Sequence, residues 1–388
     1  MILLSIIVGI DVAKDKHDIY ALNNLTGEII IPHMKIKNNL KGFTKLLEKL
    51  KSFNPQDVLI GMEETGHYHQ NLANFFHGKG FDIGMLNPLQ TNRLRQTDIR
   101  KTKTDKIDCK VIVQALILNY HYFFTPQKPA YDDIKYLSRH RFYLVKEQTK
   151  LKQKLHKAID VAFPEYHGFF SKIHTKTSYA VLTLFSTAAD ISKARTDSLQ
   201  KALNTYQNRY SANDLKAMAK ESIGTHSMAV SFEIKSLIQL IQQIGAQIKT
   251  TEETLEELVL SCQTTILSIP GISVALGAMI LGEIGDISRF GSPKKLVAFA
   301  GLDPTVYQSG KYLAPQSRQS KRGSKYLRYA LLKASSILYL HDLTFNDYYT
   351  LKKSQGKHHD VILGHIGKKL INVLFKLLSE NIEFKSMN

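Results

Sequence analysis

The sequence predicts a mixed α/β domain at its amino end, followed by a long helical segment and a mainly helical carboxyl domain. Strand-length apolar runs alternate with helix-period segments over the first 90 residues. A heptad seam then runs from Val230 to Cys262, and an apolar helix pattern follows a Pro-Gly turn at Pro270-Gly271. These observations divide the 388 residues into 1–128, 129–262 and 263–388.

Ile6-Ile7-Val8-Gly9-Ile10 is short, apolar and closed by Asp11, the pattern of a buried strand. It has no basic residue ahead of it and no small-residue cleavage site after it, so a signal peptide is not expected. No stretch approaches the roughly 20 apolar residues of a membrane span, and no membrane partner is expected. His17–Asn23 reads as the antiparallel neighbour, and Gly27–Pro32 as a third strand beyond a Thr26-Gly27 turn. Leu40–Phe53 carries Leu40, Phe43, Leu46, Leu47 and Leu50 at helical spacing. Asp57–Met62 returns to a strand, His69–His77 to a helix and Phe81–Leu86 to a strand.

From Arg93 to Lys106 the chain turns polar and basic, with Arg95, Arg100, Lys101 and Lys103 between. A helix is expected over Asp105–Leu118 with Thr104 as its N-cap, and Pro126 and Pro129 punctuate the end of the first domain. Another helix covers about Leu137–Ala162, with Leu144, Leu151 and Leu155 in register. The seam itself is Val230, Ile234, Leu237, Ile241, Ile244, Ile248, Thr251, Leu255, Leu258 and Cys262, in alternating steps of four and three. An antiparallel hairpin within one chain and a coiled-coil dimer use such a seam equally well. Residues 164–228 read as helix with loops. Ile269-Pro270-Gly271-Ile272, ahead of a helix through Ala275, Met279, Ile280 and Ile284, has the form of a helix-hairpin-helix turn, which can offer backbone N–H groups to a phosphate.

Charge narrows the partner. There are 52 Lys and Arg against 34 Asp and Glu, a formal net charge of +18. A field of that sign draws polyanions, nucleic acid first among them. Cys109 and Cys262 lack both disulfide-framework and metal-ligand spacing, which suits a reducing cytoplasm.

Two constellations carry chemistry. Asp11 closes the first strand, Glu63 closes a later one, and Asp105 and Asp108 stand one turn apart on a helix. Four such carboxylates are the hard oxygen donors that Mg²⁺ or Mn²⁺ takes, although a strand-end Asp is also a common turn or cap residue. Asp15, Asp18 and Glu64 read as solvated surface. The second constellation is Tyr307-Gln308-Ser309-Gly310-Lys311, followed by Arg318, Lys321, Arg322, Lys325 and Arg328. The five cations suit phosphate or RNA-backbone contacts, and Ser309 reads either as a nucleophile or as one more hydrogen bond to phosphate, with Tyr307 as the alternative nucleophile.

In that order, Val8-Gly9-Ile10-Asp11, Gly61-Met62-Glu63-Glu64-Thr65-Gly66 and Lys103-Thr104-Asp105-Lys106-Ile107-Asp108 resemble the DEDD transposases of insertion sequence family 110, relatives of the Piv invertases. Ile269-Pro270-Gly271-Ile272, Glu283-Ile284-Gly285-Asp286-Ile287, Ala300-Gly301-Leu302-Asp303-Pro304, Ser309-Gly310 and Ser320-Lys321-Arg322-Gly323 extend the likeness to the carboxyl domain. The resemblance implies a RuvC-like (ribonuclease H-like) amino domain with Asp11, Glu63, Asp105 and Asp108 as metal ligands. Ser309 is implied as the nucleophile of a 5′-phosphoserine link, in a composite site assembled between domains of a dimer or tetramer. Implied partners are DNA and a structured guide RNA, and the place of action is the prokaryotic nucleoid. Glu63 is preferred to Glu64 because the family's Glu stands two before the Thr-Gly pair. Cys109 stands where the family usually has alanine. A RuvC-like nuclease without a protein nucleophile and a non-catalytic nucleic-acid scaffold stand as alternatives. An actin-like sugar kinase would need phosphate-binding glycine loops that the sequence lacks.

Overall fold

The first strand rises out of the most apolar stretch of the amino end. In the computed structural model, β1 is Ile6–Asp11, β2 Lys16–Asn23 and β3 Ile29–Lys37. Helix α1 is Leu40–Leu50, β4 Val58–Glu63, α2 His69–His77 and β5 Asp82–Leu86. Next come α3 (Pro88–Thr97), α4 (Asp105–Ile117) and β6 (His121–Phe123). The structure describes residues 5–64, 67–97, 105–206, 210–305, 308–309, 312–313 and 319–386, with the backbone alone at 97, 105, 106, 308, 309, 312 and 313. It divides into two units, Met1–Pro126 and Gln127–Asn388.

In the first unit the strands lie in the order β3-β2-β1-β4-β5-β6, with β1, β4 and β5 parallel and the others antiparallel to their neighbours. Side chains alternate between the two faces. Ile6, Val8, Ile10, Ile60 and Met62 pack with Phe43 and Leu46 of α1 and Leu72 and Phe76 of α2. Ile7, Leu59 and Leu86 face the other way and pack with Cys109, Ile112, Val113 and Leu116 of α4. Gly9, Gly61 and Gly84 stand abreast on that second face. A Cβ at Gly9 would lie 2.5 Å from the Cys109 carbonyl oxygen, and one at Gly61 2.3 Å from Leu116 Cδ1. The glycines therefore let α4 settle close to the sheet.

Three features differ from the sequence expectation. β3 runs through Pro32 to Lys37, which an edge strand tolerates because a missing N–H costs no ladder bond on its open side. Helix α3 occupies the start of the basic stretch, where only Thr91 is buried and Leu94 half-buried, too few apolar positions to show a period. β6 is three residues long, below what alternation can reveal. The expected Thr104 cap lies outside the described residues.

The second unit opens with α5 (Pro129–Ala162), its proline in the first turn, where a helix needs no N–H. Helices α6 (Tyr166–Phe169), α7 (Lys176–Leu184), α8 (Ala188–Lys193), α9 (Thr196–Asn204) and α10 (Ala212–Lys220) follow. Helix α11 spans Met228–Ser261. It lies antiparallel to α5, with Arg141 Nε 2.6 Å from Glu252 Oε1 and Gln148 Nε2 donating to the Ile241 carbonyl at 3.2 Å. The heptad residues are thus used within the chain. At one end of this pair Leu155 and Ile234 join a core built with Tyr166, Leu182, Leu199 and Leu215; at the other, Ile134, Leu255 and Val259 join the carboxyl core.

That carboxyl core is built from α12 (Val274–Ile284), α13 (Pro293–Ala300), α14 (Lys325–His341), α15 (Leu343–Ser354) and α16 (His359–Glu380); between α13 and α14 in the sequence, β7 (Gln308–Ser309) pairs with β8 (Tyr312–Leu313). In the turn before α12, Gly271 has φ +81°, and a Cβ there would sit 2.6 Å from Ile337 Cγ2. This side of the turn is packed against α14. Among the described residues no helix is long and apolar enough to cross a membrane.

Candidate functional site

Register and alternation put Asp11 and Glu63 on one face of the sheet. Ile10 is opposite Met62 on the parallel pair β1–β4, so Asp11 and Glu63 end neighbouring strands. Both continue the odd-numbered series Ile7-Gly9 and Leu59-Gly61 that faces α4. From α4 comes Asp108, 6% exposed. Carboxyl ends of parallel strands are where open α/β sheets usually place their chemistry.

The ion pairs make the same grouping. Arg95, in the last turn of α3, places Nη2 3.6 Å from Glu63 Oε1 and Nε 2.8 Å from Asp108 Oδ1. The second contact is close, but its N–H is not aimed at the oxygen: neither atom has a hydrogen-bond partner among the described residues. Glu64 is engaged elsewhere, accepting a 2.7 Å hydrogen bond from the Tyr122 hydroxyl. Asp105 opens α4, one turn before Asp108, and its side chain lies outside the described residues.

Asp18 overturns an expectation. It is 4% exposed rather than solvated, and it sits opposite Asp11 on the face that α4 covers. His33 Nε2 at 2.7 Å and Lys35 Nζ at 3.4 Å hold it. These partners come from the neighbouring strand, 15 and 17 residues further along the chain, so nothing beside Asp18 in the sequence announced its burial. Asp15 and Glu64 are exposed, as expected. Cys109 lies among these carboxylates. Burial pushes its thiol up to about 12, the Asp11 backbone hydrogen bond pulls the other way, and the charges of Asp11, Asp18 and Asp108 push it further up. It is a neutral packing group.

The donor set suits a hard divalent cation: every candidate ligand is a carboxylate, and a guanidinium is drawn to Glu63 and Asp108. Among the described residues no group of three or more His, Cys, Asp or Glu side chains is arranged to hold a metal ion.

In the second unit, the Ser309 backbone pairs with Tyr312 across β7–β8. The Ser309 side chain, with Tyr307, Gly310, Lys311 and Arg318, lies outside the described residues. The basic segment beyond is well tied. Ser320 N donates to the Asp303 carbonyl at 2.8 Å, Lys321 N to Gly301 at 3.1 Å and Ser324 N to Phe299 at 2.8 Å. Gly323, at φ +111°, passes so near Phe299 that a Cβ would meet its carbonyl oxygen at 2.2 Å. Lys321, Arg322 and Lys325 are exposed, whereas half-buried Arg328 donates to the Ala300 carbonyl at 3.1 Å.

Sequence reasoning missed the anchor of this segment. Glu283, 1% exposed in α12, receives Arg139 Nε at 2.6 Å and Nη2 at 3.0 Å. It also accepts a 2.7 Å hydrogen bond from Ser324 Oγ, the side chain that caps α14. The Tyr326 ring lies 4.5 Å from the Arg139 guanidinium carbon. A lone Glu in the otherwise apolar helix Val274–Ile284 was the available signal, but its partner is 144 residues away.

Comparison with known proteins agrees with both halves. A DEDD transposase model of the IS110 group, described as transposase, matches residues 8–164, and a model described as transposase of the IS116/IS110/IS902 family matches residues 263–350. The pilin gene-inverting protein of Moraxella lacunata is 24% identical over 97% of each chain. The 44.8 kDa protein of insertion element IS116 from Streptomyces clavuligerus is 22% identical over 96% of this chain and 94% of its own. The transposase of insertion sequence element IS1111A from Coxiella burnetii is 22% identical over 86% of this chain and 78% of its own. The two matched segments cover well over half of the sequence, in order and with full-length relatives, and the chain belongs to the IS110 family of transposases.

Proposed function

We propose that this chain is a DNA recombinase that excises and integrates an insertion element by metal-dependent strand cleavage and exchange. The observation that carries the reading is the placement of Asp11 and Glu63 at the ends of neighbouring strands, on the sheet face that α4 covers, with Asp108 of α4 sharing Arg95 with Glu63. In this reading Asp11, Glu63, Asp105 and Asp108 form a RuvC-like site that holds Mg²⁺ or Mn²⁺. A bound divalent ion supplies Lewis-acid polarisation of phosphate oxygens. Ser309 is the nucleophile: its oxygen bonds to phosphorus, the bond from phosphorus to the 3′ oxygen breaks, and the serine proton ends on that 3′ oxygen. The product is a 5′-phosphoserine link that retains the energy needed for rejoining.

The division of labour follows 1–128 for the carboxylates, 129–262 for the helical, oligomer-forming segment and 263–388 for the serine. Lys321, Arg322 and Lys325, exposed on the tied segment, and Arg318 suit phosphate contacts. Arg328 acts first inside the fold through Ala300. Element ends, target DNA and a structured guide RNA are the partners, with a dimer or tetramer acting at the nucleoid. Relatives named as a transposase and as a gene-inverting protein support a strand-exchange reaction. The second reading is a metal-dependent nuclease without the serine, favoured by the grouping of the carboxylates within one unit.

An excision assay in cells, with the element on a reporter plasmid, tests the carboxylate assignment at its closest ambiguity. Glu63→Gln is expected to lower excision by more than about a hundredfold, since losing even a group behind a metal ligand costs about 10- to 100-fold. Glu64→Gln removes a charge but keeps an amide oxygen that can accept from Tyr122, and is expected to stay near wild type. The opposite order would place Glu64 in the site.

A further inference from the structure

We propose that Arg95 is the resident counter-cation of the carboxylate site, holding Glu63 and Asp108 until a divalent ion takes its place. The inference rests on the metal-binding reading given under Proposed function. Asp11, Asp18, Glu63 and Asp108 load one side of a small sheet with negative charge, and like charges facing one another destabilise a fold. Asp18 has partners of its own in Lys35 and in the His33 ring nitrogen. Among the described residues, the cation paired with Glu63 and with Asp108 is Arg95.

The contact differs from that of an arginine built into a fold. Arg139 grips Glu283 through aligned hydrogen bonds of 2.6 and 3.0 Å and rests on the Tyr326 ring. Arg95 instead approaches Asp108 without hydrogen-bond alignment and stands 3.6 Å from Glu63, beyond hydrogen-bond reach. Charge, rather than a fitted fork, holds it there. Its helix is lightly anchored, with Thr91 the buried residue and most of the others exposed. Segments with so few buried contacts open at the least cost.

A divalent ion between Glu63 and Asp108 would repel a guanidinium at that distance, so the two cations compete for the same oxygens. The metal-free protein thereby avoids unpaired partly buried carboxylates, and metal binding carries the added cost of releasing Arg95. The competition sets the concentration of ion at which the site loads.

Manganese titration of the metal-stripped full chain, with free Mn²⁺ read by electron paramagnetic resonance, tests this. Arg95→Met is expected to bind Mn²⁺ about tenfold more tightly than wild type, within the range usual for two coupled sites. It should also melt at a lower temperature without metal and regain the difference at saturating Mn²⁺. On wild type, phenylglyoxal modification of Arg95, read by peptide mass, is expected to quicken when Mn²⁺ is added; unchanged or slower modification overturns the inference whether or not the variant folds. If Glu63→Gln weakens Mn²⁺ binding but Arg95→Met does not tighten it, the counter-cation role fails and the metal site stands. If Glu63→Gln leaves Mn²⁺ binding unchanged in both backgrounds, the metal-site reading itself fails and takes the inference with it.

Discussion

Asp11→Asn is expected to abolish Mg²⁺-dependent strand cleavage, by more than about a hundredfold, while leaving the fold intact. The substitution keeps shape and size but removes one anionic donor from the group proposed to hold the metal with Glu63 and Asp108. Groups that merely orient a metal ligand are worth about 10- to 100-fold, and a ligand should exceed them. Stability should not fall with activity. Asp11 lies directly opposite Asp18 on the antiparallel pair, so neutralising one of them relieves a like-charge contact. Single-turnover cleavage of labelled junction DNA, paired with thermal melting, separates these effects. A variant that cuts within about tenfold of wild type, a difference of only 1.4 kcal/mol in barrier, would remove Asp11 from the site.

Glu283→Ala is expected to cost about 3–5 kcal/mol, the usual result of breaking a buried ion pair from one side. Arg139 would lose both its hydrogen bonds and remain partly buried, and Ser324 would lose the acceptor that holds its hydroxyl at the α14 cap. Because Ser324 follows Ser320-Lys321-Arg322-Gly323, loosening there also frees the basic segment. Urea denaturation followed by circular dichroism measures the loss. A double replacement by apolar residues, Arg139→Met with Glu283→Leu, should recover much of it, since a packed apolar pair often equals a buried ion pair. A loss below about 1 kcal/mol in Glu283→Ala, the scale of exposed pairs, would contradict the buried clamp.

The periodic elements were legible because period alone reports burial. β1, β2, α2, α5 and α11 stand within a few residues of where alternation or heptad spacing puts them, except that α5 begins eight residues before Leu137, at a proline that also reads as a boundary. The N-terminal α/β sheet and the helical remainder follow from the same patterns. What stayed hidden depends on partners far apart in the chain. Asp18 is buried because β3 brings His33 and Lys35 across it. Glu283 is buried because α5 brings Arg139. Helix α3 has almost no apolar stripe, so Arg95 read as one cation in a basic run rather than as a partner of Glu63 and Asp108. The heptad seam gave two equal readings, since helix pairing within a chain and between chains uses the same spacing. The glycine row Gly9, Gly61 and Gly84 was visible residue by residue, but its purpose appears only when the register sets the three side by side under α4.

Covalent trapping separates a carboxylate site that works with a serine nucleophile from one that cuts without it. Purified protein, co-expressed with the flanking sequence of its element, would be given labelled junction DNA and Mg²⁺ and then denatured. A labelled protein band is expected in wild type and in Tyr307→Phe and is expected to be absent from Ser309→Ala and from Asp11→Asn. Cleavage by wild type and Ser309→Ala alike, with no adduct in either, would contradict that expectation and make the serine a phosphate contact in a metal-dependent nuclease.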